Sequence, residues 1–312
     1  MWIEYQRSIL TDDVRNKAFQ NALSRVITKG RTTVLDIGSG TGFLSFLAAR
    51  LGAKDVFMVE HNEELARLSD RLMRKNRIKN CTLFQCSSFD LFELPPVDVV
   101  VSETLGNFAY EENILEIMRD AQRFLRPGGV MLPSSLEQWI APVCSERFYN
   151  ELCTWDEIGF DLDFSPAKAM SFNNLYVRRF GQADLVAEFK RWDSVDLNSR
   201  YDSLRRGESH WIIKDQATWY GFASWWKAAL DQKLALATGP LDPITHWEQL
   251  YMPLEAPIEV MPGDDVYLNI LSDSRDGNGV TLRWQVSHMR AGANLSRQTM
   301  DLRKGGTAVA DE

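Results

Sequence analysis

Apolar residues recur close to the helical period along the first 28 residues of the chain. Ile9, Val14, Ala18, Ala22 and Val26 stand four or five positions apart. Spacing of this kind places apolar side chains on one face of a helix. We therefore predict that residues 1–28 are helical.

Strand and helix patterns alternate between about residues 32 and 132. Short apolar runs predict strands, and longer amphipathic segments predict helices. The predicted strands cover 32–38, 55–60, 81–86 and 97–101, and the predicted helices cover 42–52, 62–76 and 113–129. The last helix should stop at Pro127 and the two glycines that follow. Such alternation is typical of a parallel sheet with helices on both faces.

The pattern changes after residue 133. Period-two segments at 257–261 and 265–271 predict strands, and "DGNG" at 276–279 predicts a hairpin turn before another strand at 280–289. We expect an antiparallel, barrel-like β domain in this half of the chain. An aromatic-rich stretch without a clear period, at about 146–170, interrupts it.

Composition narrows the class of protein. The chain has 312 residues, of which 45% are hydrophobic and 25% charged, with a net charge of −8. These values fit a protein of about two domains and argue against a general nucleic-acid binder. We see neither a run of roughly 20 apolar residues nor a signal peptide, so we expect no membrane segment. The four cysteines include no CxxC pair, which predicts a cytoplasmic protein without a bound metal.

A glycine-rich segment, "VLDIGSGTG", joins the first predicted strand to the first helix after it. Gly38, Gly40 and Gly42 would let a ligand lie against the backbone and the amides of the helix N-terminus. Acids follow the next two strands, because Glu60 ends one and Asp90 lies just after the other. A carboxylate at the first position can accept from ribose hydroxyls, and one at the second from an adenine amino group.

The glycines and acids together describe a site for S-adenosylmethionine. The competing hypothesis is a nicotinamide dehydrogenase built on a similar sheet. Phe43 stands where the dinucleotide fingerprint has its third glycine, and no hydride-transfer constellation is visible. Both observations favour S-adenosylmethionine.

A second acidic pair lies in "SETLGNFAYEEN", directly after the strand at 97–101. Glu103 and Glu112 stand nine residues apart, around Leu105, Phe108 and Tyr110. Ionised carboxylates are costly beside apolar surface unless a cation meets them. They predict a site for a cationic group. The alternative is that Glu103 merely ends a strand and Glu112 begins a helix, and we expect the neighbouring Glu111 to face solvent at the start of that helix.

These motifs resemble those of the protein arginine methyltransferases over nearly the whole chain. "LTDDVR" at 10–15 resembles the N-terminal helix motif, "VLDIGSGTG" resembles motif I, and 102–113 resembles the double-glutamate loop. "THWEQ" at 245–249 resembles the THW loop. The resemblance implies a Rossmann-like S-adenosylmethionine domain at 1–133 and a β-barrel substrate domain at 134–312. It also implies a helical dimerisation arm at about 146–170, and hence a homodimer.

The resemblance assigns roles to individual residues. Those implied for the cofactor are Arg15, Asp36, Gly38, Gly40, Glu60, Phe89 and Asp90, with Arg15 on the methionine carboxylate. The implied catalytic residues are Glu103, Glu112, and His246 paired with Asp12. Trp247 would line the channel for the substrate arginine, and Asn107 would contact the acceptor.

The sequence departs from the family pattern near the acceptor. Thr104 and Asn107 replace aromatic residues, Gln6 stands where many members have histidine, and Ile9 stands near a methionine linked to product choice. The sequence begins inside the helix motif, so the YFxxY segment that precedes it in relatives is not part of it. We expect these changes to bear on the acceptor and on the degree of methylation.

The implied reaction moves a methyl group from a sulfonium to an arginine guanidinium. Two unit charges at about 4 Å repel by roughly 4 kcal/mol at an effective dielectric near 20. Two carboxylates offset this repulsion and grip the guanidinium. Three hypotheses remain open for the acceptor: arginine in a protein or peptide, free arginine or another small guanidine, or none, in a silent scaffold relative.

Overall fold

Two helices open the chain, and Asp12 separates them. The computed structural model describes residues 3–275 and 279–305. Helix α1 covers Ile3–Leu10 and helix α2 covers Asp13–Val26. The Asp12 carboxylate accepts a hydrogen bond from the backbone N–H of Arg15 at 2.9 Å, so it caps α2. The helical region predicted at 1–28 is therefore two helices.

A five-stranded parallel sheet follows, in the strand order β3-β2-β1-β4-β5. Its elements are β1 (Thr33–Ile37), α3 (Phe43–Leu51), β2 (Asp55–Val59), α4 (Glu63–Lys75), β3 (Cys81–Phe84), β4 (Val97–Ser102), α5 (Ile114–Ala121) and β5 (Leu125–Leu132). The predicted alternation of strands and helices is confirmed. The glycine-rich loop and the loops carrying the two sets of acids all follow carboxyl ends of these strands, where ligands bind in such sheets.

The helix predicted at 113–129 was too long. Helix α5 ends at Ala121, and the segment "LRPGGVML" forms β5 at the edge of the sheet. Proline lacks a backbone N–H, which an edge strand tolerates because one side needs no partner. Pro127 therefore lies inside a strand instead of ending a helix.

The second half of the chain contains two antiparallel sheets. One has the order β7-β12-β10-β6-β8 with β11 paired to β10, and the other has the order β15-β14-β13-β9. The elements are β6 (Ser135–Val143), α6 (Glu146–Cys153), α7 (Ser165–Ser171), β7 (Tyr176–Arg178), β8 (Lys190–Asp196), β9 (Leu204–Ile212), β10 (Ala217–Ala229), β11 (Ala235–Ala237), β12 (Gln249–Val260), β13 (Asp265–Asp273), β14 (Thr281–Arg290) and β15 (Ala293–Asp301). We call this half the β domain.

The strands predicted at 265–271 and 280–289 are β13 and β14, which pair antiparallel. The turn predicted between them at 276–279 lies outside the described residues except for its last position. The aromatic stretch at 146–170 contains α6 and most of α7, and we call it the arm. No helix within the described ranges is long and apolar enough to cross a membrane.

Candidate functional site

The glycine-rich loop between β1 and α3 is covered on two sides. A Cβ atom on Gly40 would lie 3.2 Å from Oε1 of Gln6, which α1 buries against the loop. A Cβ atom on Gly38 would lie 2.7 Å from Cγ2 of Thr104, at the start of the double-glutamate loop. Both glycines have positive φ values, +54° and +70°, which residues with side chains rarely adopt. The loop therefore depends on glycine at both positions.

The carboxylate of Glu60 is fixed by two backbone amides. It accepts from the N–H of Gly40 at 2.8 Å and from the N–H of Asn62 at 2.7 Å. The residue is buried at the carboxyl end of β2. A carboxylate has further lone pairs after two such bonds, so Glu60 can still accept from hydroxyl groups of a ligand.

Phe89 and Asp90 lie on a short 3₁₀ turn after β3, the strand next to β2. Both residues are exposed. Since β2 and β3 are parallel neighbours, their following loops lie at the same edge of the sheet. The structure thus presents Glu60 in a buried position beside the glycine-rich loop and Asp90 in an open one.

Asp36, near the end of β1, carries an unsatisfied acceptor. The hydroxyl of Ser45 donates to its Oδ2 at 2.5 Å, and its Oδ1 has no hydrogen-bond partner in the described structure. Complete burial raises the pKa of this carboxyl to about 6, although the Ser45 hydrogen bonds and the Arg15 charge oppose the rise. A buried oxygen without a donor fits a cationic or N–H-bearing group of a ligand. This observation is compatible with the α-ammonium end of a methionine moiety.

Arg15 joins the candidate cofactor site to the candidate acceptor site. Its Nε donates to Oε2 of Glu103 at 2.7 Å, and a second guanidinium nitrogen contacts the same oxygen. The side chains are 6% and 7% exposed. The resemblance implies that Arg15 binds the methionine carboxylate, which remains a prediction; in this structure its guanidinium holds the first glutamate of the loop.

Glu112 lies beside Tyr5 of α1. The Tyr5 hydroxyl donates to Oε1 of Glu112 at 3.4 Å. Burial, together with the charges of Glu112 and Glu103, raises the pKa of this phenol well above its usual value. Tyr5 therefore remains a neutral donor that faces both glutamates. No sequence motif marks Tyr5. The available signal was its place next to Gln6 in α1, the helix that covers the glycine-rich loop.

Asp12 and His246 form the predicted pair. Oδ2 of Asp12 accepts from the backbone N–H of His246 at 2.8 Å and lies 2.7 Å from its ring Nδ1. Burial opposes the charge of Asp12, but hydrogen bonds from Arg15 and His246 outweigh it and lower the pKa. Burial also lowers the pKa of His246, against the influence of Asp12. An ionised Asp12 can only accept, so Nδ1 carries the proton and Nε2 is the basic nitrogen of a neutral ring.

The β domain holds the first half of the double-glutamate loop. The indole N–H of Trp247 donates to the carbonyl of Leu105 at 2.7 Å, and that of Trp226 to the carbonyl of Gly106 at 2.9 Å. Oδ1 of Asn107 accepts from the backbone N–H of Glu248 at 2.9 Å. Trp247 and Asn107, both predicted to contact the acceptor, thus also connect the loop to the β domain.

Glu111 was expected to face solvent, and that prediction is wrong. Its Oε2 lies 3.3 Å from the backbone N–H of Phe108, and its side chain lies against Gly106. Burial raises its pKa, while backbone hydrogen bonds from Phe108 and Asn107 oppose the rise. The helix begins only at Ile114, so Glu111 folds back over the loop instead of starting the helix.

The chain has three other histidines. The structure gives each a carboxylate: His61 lies 3.6 Å from Glu60, and the two others lie 2.7 Å from their partners. These two pairs are His210 with Asp265 and His288 with Asp264. Within the described residues, no cluster of three or more His, Cys, Asp or Glu side chains could hold a metal ion.

Comparison with known protein families adds to the fold and to this arrangement of acids. The family model described as "Methyltransferase domain" matches residues 28–190. A second, described as "Arginine methyltransferase oligomerization subdomain", matches residues 137–289. The chain belongs to the protein arginine N-methyltransferase family.

Known proteins agree with this assignment. The chain is 28% identical to the histone-arginine methyltransferase CARMER of Drosophila willistoni, over 97% of its own length and 59% of that protein. It is 27% identical to protein arginine N-methyltransferase 6 of Xenopus tropicalis, over 93% and 89% of the two lengths. The chain thus spans about 60% of the insect relative.

Two solved structures show the same fold. The Trypanosoma brucei PRMT1 enzyme–prozyme heterotetrameric complex with AdoHcy is 22% identical, with a TM-score of 0.85 and coverage of 96% and 98%. Protein arginine methyltransferase 10 of Arabidopsis thaliana is also 22% identical, with a TM-score of 0.81 and coverage of 96% and 98%.

Proposed function

We propose that the protein transfers a methyl group from S-adenosylmethionine to a guanidino nitrogen of arginine in a protein or peptide. The observation that carries this proposal is the Arg15–Glu103 contact. It joins a glycine-rich nucleoside site to a loop whose second glutamate, Glu112, lies beside a neutral phenol. Arg15 offsets one of the two negative charges, so the pair retains a net charge of about −1 for one guanidinium.

One set of residues in this chain would bind S-adenosylmethionine, and another would bind the guanidinium. Bound S-adenosylmethionine would supply an electrophilic methyl group on a sulfonium. Glu60 and Asp90 would bind its ribose and adenine, and Asp36 with Arg15 would hold the amino-acid end. Glu103 and Glu112 would orient the guanidinium and draw positive charge away from the nitrogen that forms the new bond.

The nitrogen that accepts the methyl group must lose a proton. Neutral His246, with Nδ1 bound to Asp12, offers a basic Nε2 and lies where the charge of Glu103 acts on it. We propose that His246 accepts this proton. The alternative role, a tie between α2 and the β domain, is also served by its backbone N–H, which Asp12 binds independently.

The test is to incubate the protein with labelled S-adenosylmethionine, once with arginine-rich peptides and once with free arginine, and to weigh the products. Methylated peptide supports the proposal, and methylated free arginine alone favours the small-guanidine alternative. Product in neither reaction favours the silent scaffold. The presence of both glutamates argues against that last outcome, because partly buried acids are costly to keep without a cation.

We propose a homodimer in which the arm of one protomer docks on the α/β half of the other. The arm exposes Ile158, Phe160 and Leu162, with Phe160 90% exposed, and four exposed acids accompany them. The acids are Asp156, Glu157, Asp161 and Asp163. Against α1 and α4 lies a cavity of about 400 Å³, lined by Ile3, Leu65, Leu68, Glu64, Arg67 and Arg71. The apolar side chains of this cavity would pack against those of the arm, and its arginines would pair with the acids of the arm.

Two further features belong to this proposal. The two antiparallel sheets would form the barrel-like substrate domain expected from the sequence, with the arm projecting from it. We also propose a cytoplasmic location, which the four free cysteines support, since a reducing compartment keeps thiols unpaired. Cell fractionation with an antibody to the protein tests the location.

A further inference from the structure

A buried polar network joins the second half of the double-glutamate loop to the β domain. The hydroxyl of Tyr110 donates to Oδ2 of Asp193 at 2.8 Å, and the tyrosine is 0% exposed. Arg205 binds the same carboxylate through Nε at 2.9 Å and Nη2 at 2.6 Å. The backbone N–H of Ser194 donates to Oδ1 at 2.8 Å. Asp193 is therefore an ionised and well-bonded acceptor for the phenol.

A β-bulge in β8 makes this network possible. Gln138 of β6 pairs with Asp193, but the next residue of β6 pairs with Arg191, so Trp192 is an extra residue in β8. Neighbouring residues of a regular strand point to opposite faces, whereas here Trp192 and Asp193 are both buried. Gly207 lets β9 approach the bulge closely, since a Cβ atom at this position would lie only 2.0 Å from the carbonyl oxygen of Trp192.

Aromatic packing reinforces the polar contact. Phe108 of the loop stacks on Trp192 with a centroid distance of 6.2 Å and an interplanar angle of 10°. Tyr110 packs edge-on against Phe108 at 5.4 Å. Two loop residues are thus held by two consecutive residues of the bulged strand, just before the chain reaches Glu112.

We propose that Tyr110, held by Asp193 and Arg205, is a positioning residue for arginine methylation that determines where the loop presents Glu112. The inference rests on the proposed function. Arg15 of α2 holds the carboxylate of Glu103, whereas Asp193 of the β domain holds the chain two residues before Glu112. The separation of the two carboxylates across the acceptor site therefore depends on the Tyr110–Asp193 hydrogen bond.

The change Tyr110→Phe isolates this role. It removes one hydroxyl, while Asp193 keeps both bonds from Arg205 and the bond from Ser194, so no unpaired charge is left. The matched control is Tyr251→Phe. Tyr251 is also buried, and its hydroxyl donates to the carbonyl of Tyr220 at 2.7 Å, within the β domain.

We expect Tyr110→Phe to lower kcat about tenfold or more with a peptide acceptor, on the scale of one hydrogen bond to a charged group. The Kd for S-adenosylmethionine should stay within about twofold, and Tyr251→Phe should leave kcat unchanged. In a Glu112→Gln background, Tyr110→Phe should lower kcat by less than about twofold, because a residue that acts through Glu112 shows non-additive effects. Equal losses in both backgrounds would overturn the inference.

Hydrogen exchange provides a readout that does not depend on activity. Tyr110→Phe should speed exchange of the amides between residues 108 and 113, and Tyr251→Phe should not. Unchanged exchange in that segment also overturns the inference. A wild-type protein that methylates no guanidine would instead count against the proposed function, while the exchange result still decides whether Tyr110 holds the loop.

Discussion

Arg15 and Glu103 form a buried ion pair between the second helix and the end of the fourth parallel strand. Both side chains are nearly excluded from solvent, at 6% and 7% exposure. Removing one partner of such a pair leaves an uncompensated charge, which commonly costs about 3–5 kcal/mol. The pair thus couples α2 to the loop that would bind the acceptor.

The two glutamates should consequently respond differently to neutralisation. Glu103→Gln and Glu112→Gln should each lower the methylation rate by roughly 10²-fold or more, on the scale of one preorganised electrostatic contact. Glu112→Gln should leave S-adenosylmethionine affinity within a few fold of wild type. Glu103→Gln should weaken S-adenosylmethionine affinity more than Glu112→Gln does, because it leaves Arg15 without its carboxylate partner. Steady-state kinetics and calorimetry measure both quantities.

These two changes need a control variant at an acid outside the site. Glu111 cannot serve, because it is half-buried and lies against Gly106. Glu93 is an exposed acid in the loop before β4, and Glu93→Gln should change neither the rate nor the affinity. Near-normal turnover in Glu112→Gln would contradict the role assigned to the loop.

Local sequence pattern was sufficient for most of the α/β half. The period of the apolar residues predicted β1 to β4 and α3 and α4, because each buries one face against the same sheet. It failed at residues 122–132, where the choice between a longer helix and an edge strand depends on the neighbouring strand β4. Pairing with β4 is a tertiary interaction, which a window of sequence does not contain.

The candidate site was predictable where a residue follows directly from a motif. Glu60 lies beside the glycine-rich loop, and Asp12 lies beside His246, as the motifs imply. Tyr5, Glu111 and the Tyr110–Asp193 contact were missed, since they depend on how α1 and β8 pack on the loop. The bulge at Trp192 leaves no clear mark in the sequence.

The His246 ring should matter more for removing the substrate proton than for the stability of the fold. His246→Ala removes the ring but keeps the backbone N–H that Asp12 binds, so α2 should remain docked. We expect kcat to fall about 10²-fold, as is usual for loss of a general base. The acidic limb of the pH–rate profile should vanish with the imidazole. If kcat instead falls by the same factor at every pH and the acidic limb remains, His246 only connects α2 to the β domain.

Asp36 should make stability and cofactor binding depend on pH. Burial raises its pKa to about 6 from 3.8, so the folded protein binds more protons than the unfolded chain between these values. Its contribution is therefore most favourable below about pH 4 and is lost as the pH rises through 6. The shift corresponds to roughly 3 kcal/mol. Chemical denaturation of wild type and Asp36→Asn between pH 4 and 7 measures it.

A cationic ligand beside Asp36 should favour the ionised carboxylate. Binding of S-adenosylmethionine near pH 5.5 should therefore release protons, which calorimetry in buffers of different ionisation enthalpy detects. Asp36→Asn should abolish the release. Binding without proton release by the wild-type protein would separate Asp36 from the ligand.

Removal of Glu60 and removal of Asp90 should weaken S-adenosylmethionine binding by different amounts. Glu60→Ala removes a buried carboxylate that also holds the N–H groups of Gly40 and Asn62, whereas Asp90→Ala removes an exposed one. We expect Glu60→Ala to weaken S-adenosylmethionine binding by a few kcal/mol and Asp90→Ala by about 1 kcal/mol. NAD should not bind. Calorimetry that showed NAD binding, or equal affinities for all three proteins, would reject the assignment.

Dimer assembly should depend on the arm and on the cavity beside α4. Phe160→Ala removes the most exposed of the arm's apolar side chains, and Arg71→Glu reverses a charge at the cavity. Each change should weaken the dimer measured by light scattering, and deletion of the arm should give a monomer that methylates poorly. Phe92→Ala is the matched control, because Phe92 is 83% exposed but lies outside the arm. If wild-type protein is monomeric at micromolar concentration, the arm does not mediate self-association.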